Sequence, residues 1–162
     1  MKGAGLAAGL LLATLAFALA FVPRRIAWAS ACMAIVLMTA VALSTRQLPD
    51  VIAFTGWGAC LIAIALSVYW PRAAQRYAAL PLAAAAAAGA WSGILLAGGQ
   101  RSAVLALAAG LTVMVLASTA IAARGWDIAL RVATSWLLAV ALLVGAIPYL
   151  VAHPGFAPDH RE

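Results

Sequence analysis

Few residues in this chain could do chemistry, and their positions decide which chemistry is open to them. Between the ends of its apolar runs there is no His, Glu, Asp or Lys. Proton relays, ion-coupled carriers and haem ligation need ionisable or coordinating groups at membrane depth, so those mechanisms would have to come from a partner. Cys32 and Cys60 stand in separate apolar runs with no second thiol or histidine at ligand spacing. Neither a CxxC redox pair nor a zinc site can be built locally, and both thiols read as small buried hydrophobes. His153, Asp159 and His160 gather near the C-terminus among Pro154, Gly155 and Pro158, where a flexible tail cannot impose metal geometry alone. No metal, no cofactor and no catalytic residue is therefore expected.

Two constellations remain. Asp127 and Arg131 stand at i and i+4 at the start of the last apolar run, a spacing that predicts an interfacial ion pair with the arginine stem reaching outward. The second is aromatic. Trp57 follows Asp50 by seven residues and Trp91 precedes Gln100 by nine, which puts the two indoles at similar depth if both loops share a face. Thr55, Gly56 and Gly58 flank one; Gly89, Ser92 and Gly93 flank the other. Aromatic walls, a few polar atoms and space beside glycine describe either a small-molecule pocket or a close helix crossing. Packing is the preferred reading, with the third and fourth spans meeting through Gly56/Gly58 and Gly89/Gly93 and with Trp57 beside Trp91.

The elements that must hold these residues follow from composition. Of 162 residues, 67% are apolar and 9% charged, and the mean hydropathy is +1.10. A soluble domain carries about 25% charged residues, so lipid is the solvent for most of this surface. Apolar runs of about 17 to 25 residues bounded by charge or helix breakers mark membrane spans. Six are expected: residues 4–22, 26–44, 51–70, 78–97, 103–123 and 128–151, followed by a flexible tail over 152–162. Loops this short make sequential neighbours antiparallel. The expected fold is an all-α integral membrane protein, six transmembrane helices in an antiparallel up-down bundle, with no room for a separate soluble domain. Asp50 and Asp127 each precede a span, where a carboxylate caps the first turn, and Trp70, Trp126 and Tyr149 read as interfacial anchors.

The net charge is +6, yet the basic residues are scattered singly or in pairs between apolar runs, which orients a membrane protein and does not make a nucleic-acid surface. Arg24, Arg25, Arg72, Arg76, Arg124 and Arg131 fall on one side, and Lys2, Arg46, Arg101 and Arg161 on the other. The positive-inside rule then favours both termini outside. The first run carries A-x-A matches such as Ala16-Phe17-Ala18, but it is longer than a signal-peptide core and Arg24-Arg25 follows at once; a retained helix is expected. The arginine-rich, alanine-rich composition points to a bacterial cytoplasmic (inner) membrane.

Function is expected to be non-enzymatic: an accessory or assembly subunit of a membrane complex, in contact with the lipid bilayer and with other membrane subunits or itself, and not with nucleic acid. The alternative is a small transporter or channel for a neutral or weakly polar solute. A continuous polar path from Thr55 and Ser92 to Ser118 and Thr134 would discriminate the two.

Overall fold

The computed structural model describes residues 4–44, 49–69, 77–97 and 101–150. Over them the chain forms six helices and no strand: α1 (Ala4–Leu19), α2 (Arg24–Ser44), α3 (Asp50–Ser67), α4 (Ala79–Leu96), α5 (Arg101–Ala123) and α6 (Asp127–Leu150). Four are long and apolar enough to cross a membrane: α2, α4, α5 and, over Asp127–Val144, α6. Ala4–Leu19 and Val51–Ser67 are shorter apolar helices. The readings of Trp70, of the Tyr149 and Asp50 side chains, of the metal-poor tail 152–162 and of the connections at 45–48, 71–76 and 98–100 lie outside the described residues.

Local chemistry sets the helix limits. α1 stops at Leu19 rather than Val22 because Pro23 disfavours helical geometry in the residue before it. The Pro23 carbonyl then accepts the Ile26 and Ala27 N–H groups at 2.9 and 3.0 Å, drawing Arg24 and Arg25 into the first turn of α2. Pro49, in extended geometry, occupies the N-cap of α3, so that position is not Asp50's as expected; Asp50 is the first helical residue, still beside the positive end of the dipole. Between α5 and α6, Gly125 adopts φ 76°. The Trp126 N–H reaches Ile121 O and the Gly125 N–H reaches Ala122 O, the paired bonds of a Schellman stop whose left-handed residue is nearly always glycine.

α1 is apolar on every side, and a helix of that kind belongs inside. Ala7, Ala8, Leu11, Leu12, Leu15, Ala16 and Leu19 are all buried, and α1 touches every other helix. Contact partners fix relative directions. Gly89 faces Ala34 while Gly93 faces Met38 and Val41, so α2 and α4 run the same way. Gly9 meets Leu107 and Ala16 meets Ser118, so α1 and α5 also run together.

The most extensive helix contact is between α2 and α4. α2 buries Ala27, Ser30, Ala31, Ala34 and Met38 along one face, and α4 answers with Ala85, Ala88, Gly89, Ser92 and Gly93. Small residues let the backbones approach, which is how helices hold together where no hydrophobic drive separates helix from lipid. A Cβ at Gly89 would strike the Ala34 carbonyl oxygen and lie 2.9 Å from Ala34 Cα; one at Gly93 would lie 2.7 Å from Met38 O.

Candidate functional site

The residues singled out around the two tryptophans divide among three interfaces. Gly56 of α3 faces α4, where a Cβ would overlap the Trp91 ring; α3 and α4 therefore meet through one notch and one indole. Gly89 and Gly93 do not face α3. They form the seam with α2, which corrects the expected partner. Nor do the indoles pair: the Trp57 ring turns toward α1, fully buried, and its Nε1–H donates to Ala7 O at 2.8 Å. Its ring neighbour is Phe54, edge-on at 6.0 Å between centroids. The reason is angular. Adjacent helical residues differ by about 100° and residues two apart by about 200°, so Gly56 and Trp57 cannot share a partner, nor can Gly89 and Trp91. Gly58 has open space where a Cβ would stand and borders a hollow shared with Ala141 and Leu142 of α6.

The hydroxyls do not line up into a path. Thr55 Oγ1 donates to Val51 O at 2.7 Å, and Thr134 Oγ1 to Leu130 O at 2.7 Å. Thr14 and Thr119 bond carbonyls of their own helices in the same way. In a membrane helix this is the nearest acceptor a hydroxyl can find. Ser118 Oγ reaches across to Ala16 O at 2.9 Å, tying α5 to α1. Ser92 and Ser30 are buried in the α2/α4 region with hydroxyls that meet no partner among the described residues. Sequence reasoning missed the Trp57–Ala7 bond, the Ser118–Ala16 bond and the contact between the Tyr69 hydroxyl and Ser135 Oγ; each depends on which face of a helix meets which neighbour.

At the end of the bundle that holds the α1–α2 and α5–α6 turns, Asp127 and Arg131 form no ion pair among the described residues, contrary to expectation. The Arg131 guanidinium reaches the α1–α2 turn instead, its carbon 5.9 Å from the centre of the Phe21 ring, and its Nε is buried without a partner. Asp127 is exposed, so pairing would gain little in water, while the free N–H groups of the first turn of α6 already favour its charge. Asp127 instead borders a hollow of about 840 Å³ with Phe21, Pro23, Arg24 and Thr119.

A second hollow, of about 710 Å³, lies between α1, α3 and α4. Leu15 and Leu19 of α1, with Val22 of the turn after it, form its floor; Ala59, Ala63, Leu66 and Ser67 of α3 and Leu80, Ala83, Ala84 and Ala87 of α4 form its sides. The chain matches no family model, no curated protein and no solved structure. What the site can do must come from its own geometry. Among the described residues no cluster of three or more His, Cys, Asp or Glu could hold a metal, and the hollow offers apolar contact with Ser67 and Cys60 as its polarizable or polar side chains.

Proposed function

We propose that this chain is a non-enzymatic multi-pass protein of the bacterial cytoplasmic membrane, crossing it six times in up-down order with both termini outside, and serving as an accessory or assembly subunit of a membrane complex. The parallel course of α2 with α4 and of α1 with α5 supports alternating crossings. The observation that carries the role is the fate of the hydroxyls. Thr55, Thr134 and Ser118 spend their donors on helix carbonyls, and a transport path for a polar solute needs such groups aimed into a lumen. The outward faces support a role in assembly: Ile128, Val132, Trp136 and Leu143 of α6 and Leu105 and Val113 of α5 are large, apolar and exposed, as suits helices that meet lipid or the helices of a partner.

Purification from native membranes in a mild detergent tests the role. Stoichiometric co-purifying subunits are the expected result. A homogeneous homo-oligomer that conducts a neutral solute in vesicles would establish the transporter instead. Cysteine-accessibility labelling at Gln47 and Gln100 should mark the outer face and at Gln75 the inner; opposite labelling overturns the orientation.

A further inference from the structure

We infer that the hollow between α1, α3 and α4 is a binding site for one acyl chain of an anionic phospholipid, whose phosphate is held by Arg24 and Arg25 at the basic end of the bundle. This rests on the membrane crossings proposed above and not on the subunit role. Three observations converge on that occupant.

The first is depth. The lining extends no further than Gly56 and Trp91 at one end, where the Trp91 ring sits over Gly56, and reaches Ser67 and Leu80 at the other. Eleven helical steps separate Gly56 from Ser67, and eleven separate Leu80 from Trp91, a length of about 16 Å at the helical rise. That is half of the roughly 30 Å hydrocarbon core, the depth of a single leaflet. A partner helix seated in a groove would continue across the whole membrane; a lipid chain ends at the midplane, where Trp91 stands.

The second is access and lining. Ala59 and Ala63 on α3 and Leu80 and Ala83 on α4 are exposed, so the hollow opens sideways to the lipid through a rim of mostly methyl-sized side chains. Its floor is the buried face of α1 at Leu15 and Leu19. Volumes of about 300–1,000 Å³ with apolar walls are those of ligand sites, and the 710 Å³ here falls within them. Ser67, the hydroxyl in the lining, lies near the C-terminal end of α3, where its Oγ already donates to Ile64 O.

The third is charge. Val22 borders both this hollow and the neighbouring one that contains Arg24, and Arg24 and Arg25 are exposed immediately after Pro23. Asp127 is the carboxylate bordering that neighbouring hollow, so the two arginines leave the local balance positive. Basic residues where membrane helices reach the headgroup level are what recruit anionic lipids.

Photolabelling of the full chain in phosphatidylcholine vesicles tests the inference, with phosphatidylglycerol carrying a diazirine at a chosen position on one acyl chain. A diazirine at the chain terminus should label α3 and α4 around Gly56 and Trp91, and moving it toward the ester should walk the label toward Ser67 and Leu80. Ala84→Phe fills the hollow and should abolish that labelling; if it fails to fold, Ala63→Phe at the exposed rim replaces it, and the walk in the native chain remains decisive. Arg24→Gln and Arg25→Gln should each reduce labelling by about fivefold, with a smaller loss for a phosphatidylcholine probe, whose choline ammonium offsets the phosphate charge. Label spread evenly over Leu105, Val113 and Trp136, or unaltered in a folded Ala84→Phe protein, would overturn the site. Equal labelling by both headgroups would overturn the preference for an anionic lipid. Failure of the chain to enter vesicles would sink the membrane crossings themselves, a result distinguishable from either.

Discussion

The α2/α4 seam and the α5/α6 pair invert what their spacing along the chain would lead one to expect. α5 and α6 are joined by the three residues Arg124, Gly125 and Trp126, yet among the described residues they touch little. α2 and α4 are separated by the whole of α3, yet theirs is the most extensive helix contact among the described residues. A short connection obliges two helices to meet at one end only. What holds them along their length is the size of the facing residues: Ala27, Ala31 and Ala34 against Ala85, Gly89 and Gly93 in the seam, where bulky outward groups such as Leu105 and Trp136 occupy α5 and α6. In lipid, where a leucine gains nothing by leaving the bilayer for a neighbouring helix, small residues decide adjacency.

The contrast breaks first at Gly89. Gly89→Leu forces a side chain into the Ala34 backbone, which cannot retreat as a flexible side chain would, and should cost about 3 kcal/mol or more. Thermal unfolding in detergent checks it, with Gly110→Leu as the control on α5. A Cβ at Gly110 meets nothing within 4 Å, so that variant should stay within about 0.5 kcal/mol of the native protein. Equal losses in the two would mean that the seam is not specially close.

Tryptophan substitutions sharpen the same comparison. Trp57→Phe removes the donor to Ala7 O inside the core and should cost about 1–3 kcal/mol. Trp136→Phe on the exposed face of α6, where the indole is 74% accessible, should be nearly silent, within about 0.5 kcal/mol. Measured in the same unfolding assay, a larger effect at Trp136 than at Trp57 would place α6 in an interface the single chain does not reveal.

Smaller effects come from the bonds that attach α5 and from the charged turn of α6. Ser118→Ala deletes the tie to Ala16 O, and interhelical hydrogen bonds in membranes average about 0.6 kcal/mol. Asp127→Asn should change stability by less than that, since Arg131 points to Phe21 rather than to this carboxylate. Normal insertion with loss of complex assembly in Asp127→Asn would give the residue a role in contacting a partner.

The helical class, the positions of the turns and the elbow at Arg124–Asp127 were legible in the sequence because they depend on local chemistry: apolar run length, proline and a glycine able to take positive φ. Gly89/Gly93 was recognisable as a packing face for the same reason. Its partner was not, since choosing between α2 and α3 requires knowing which side of each helix faces inward, and every neighbouring run is rich in alanine. One error could have been avoided. Gly89 and Trp91 lie on opposite sides of a helix, so the glycine face and the indole could never have served one interface. The Arg131–Phe21 contact was out of reach for another reason: its partner lies 110 residues away in sequence, and nothing about Phe21 marks it in an apolar run.

The central place of α1 carries a consequence for how the molecule is made. Translation delivers α1 before the helices that follow it, but the surfaces that enclose α1 belong to α3, α4, α5 and α6. The hub of the bundle is thus made before the helices that surround it and is among the last to be enclosed. Being apolar all round, it can wait in the bilayer without a chaperone for its polar groups, because its backbone bonds are satisfied internally. A ribosome halted before α5 would leave a membrane-inserted chain with an open core, and a peptidase that cut after the first run would remove the axle around which the remaining helices are arranged.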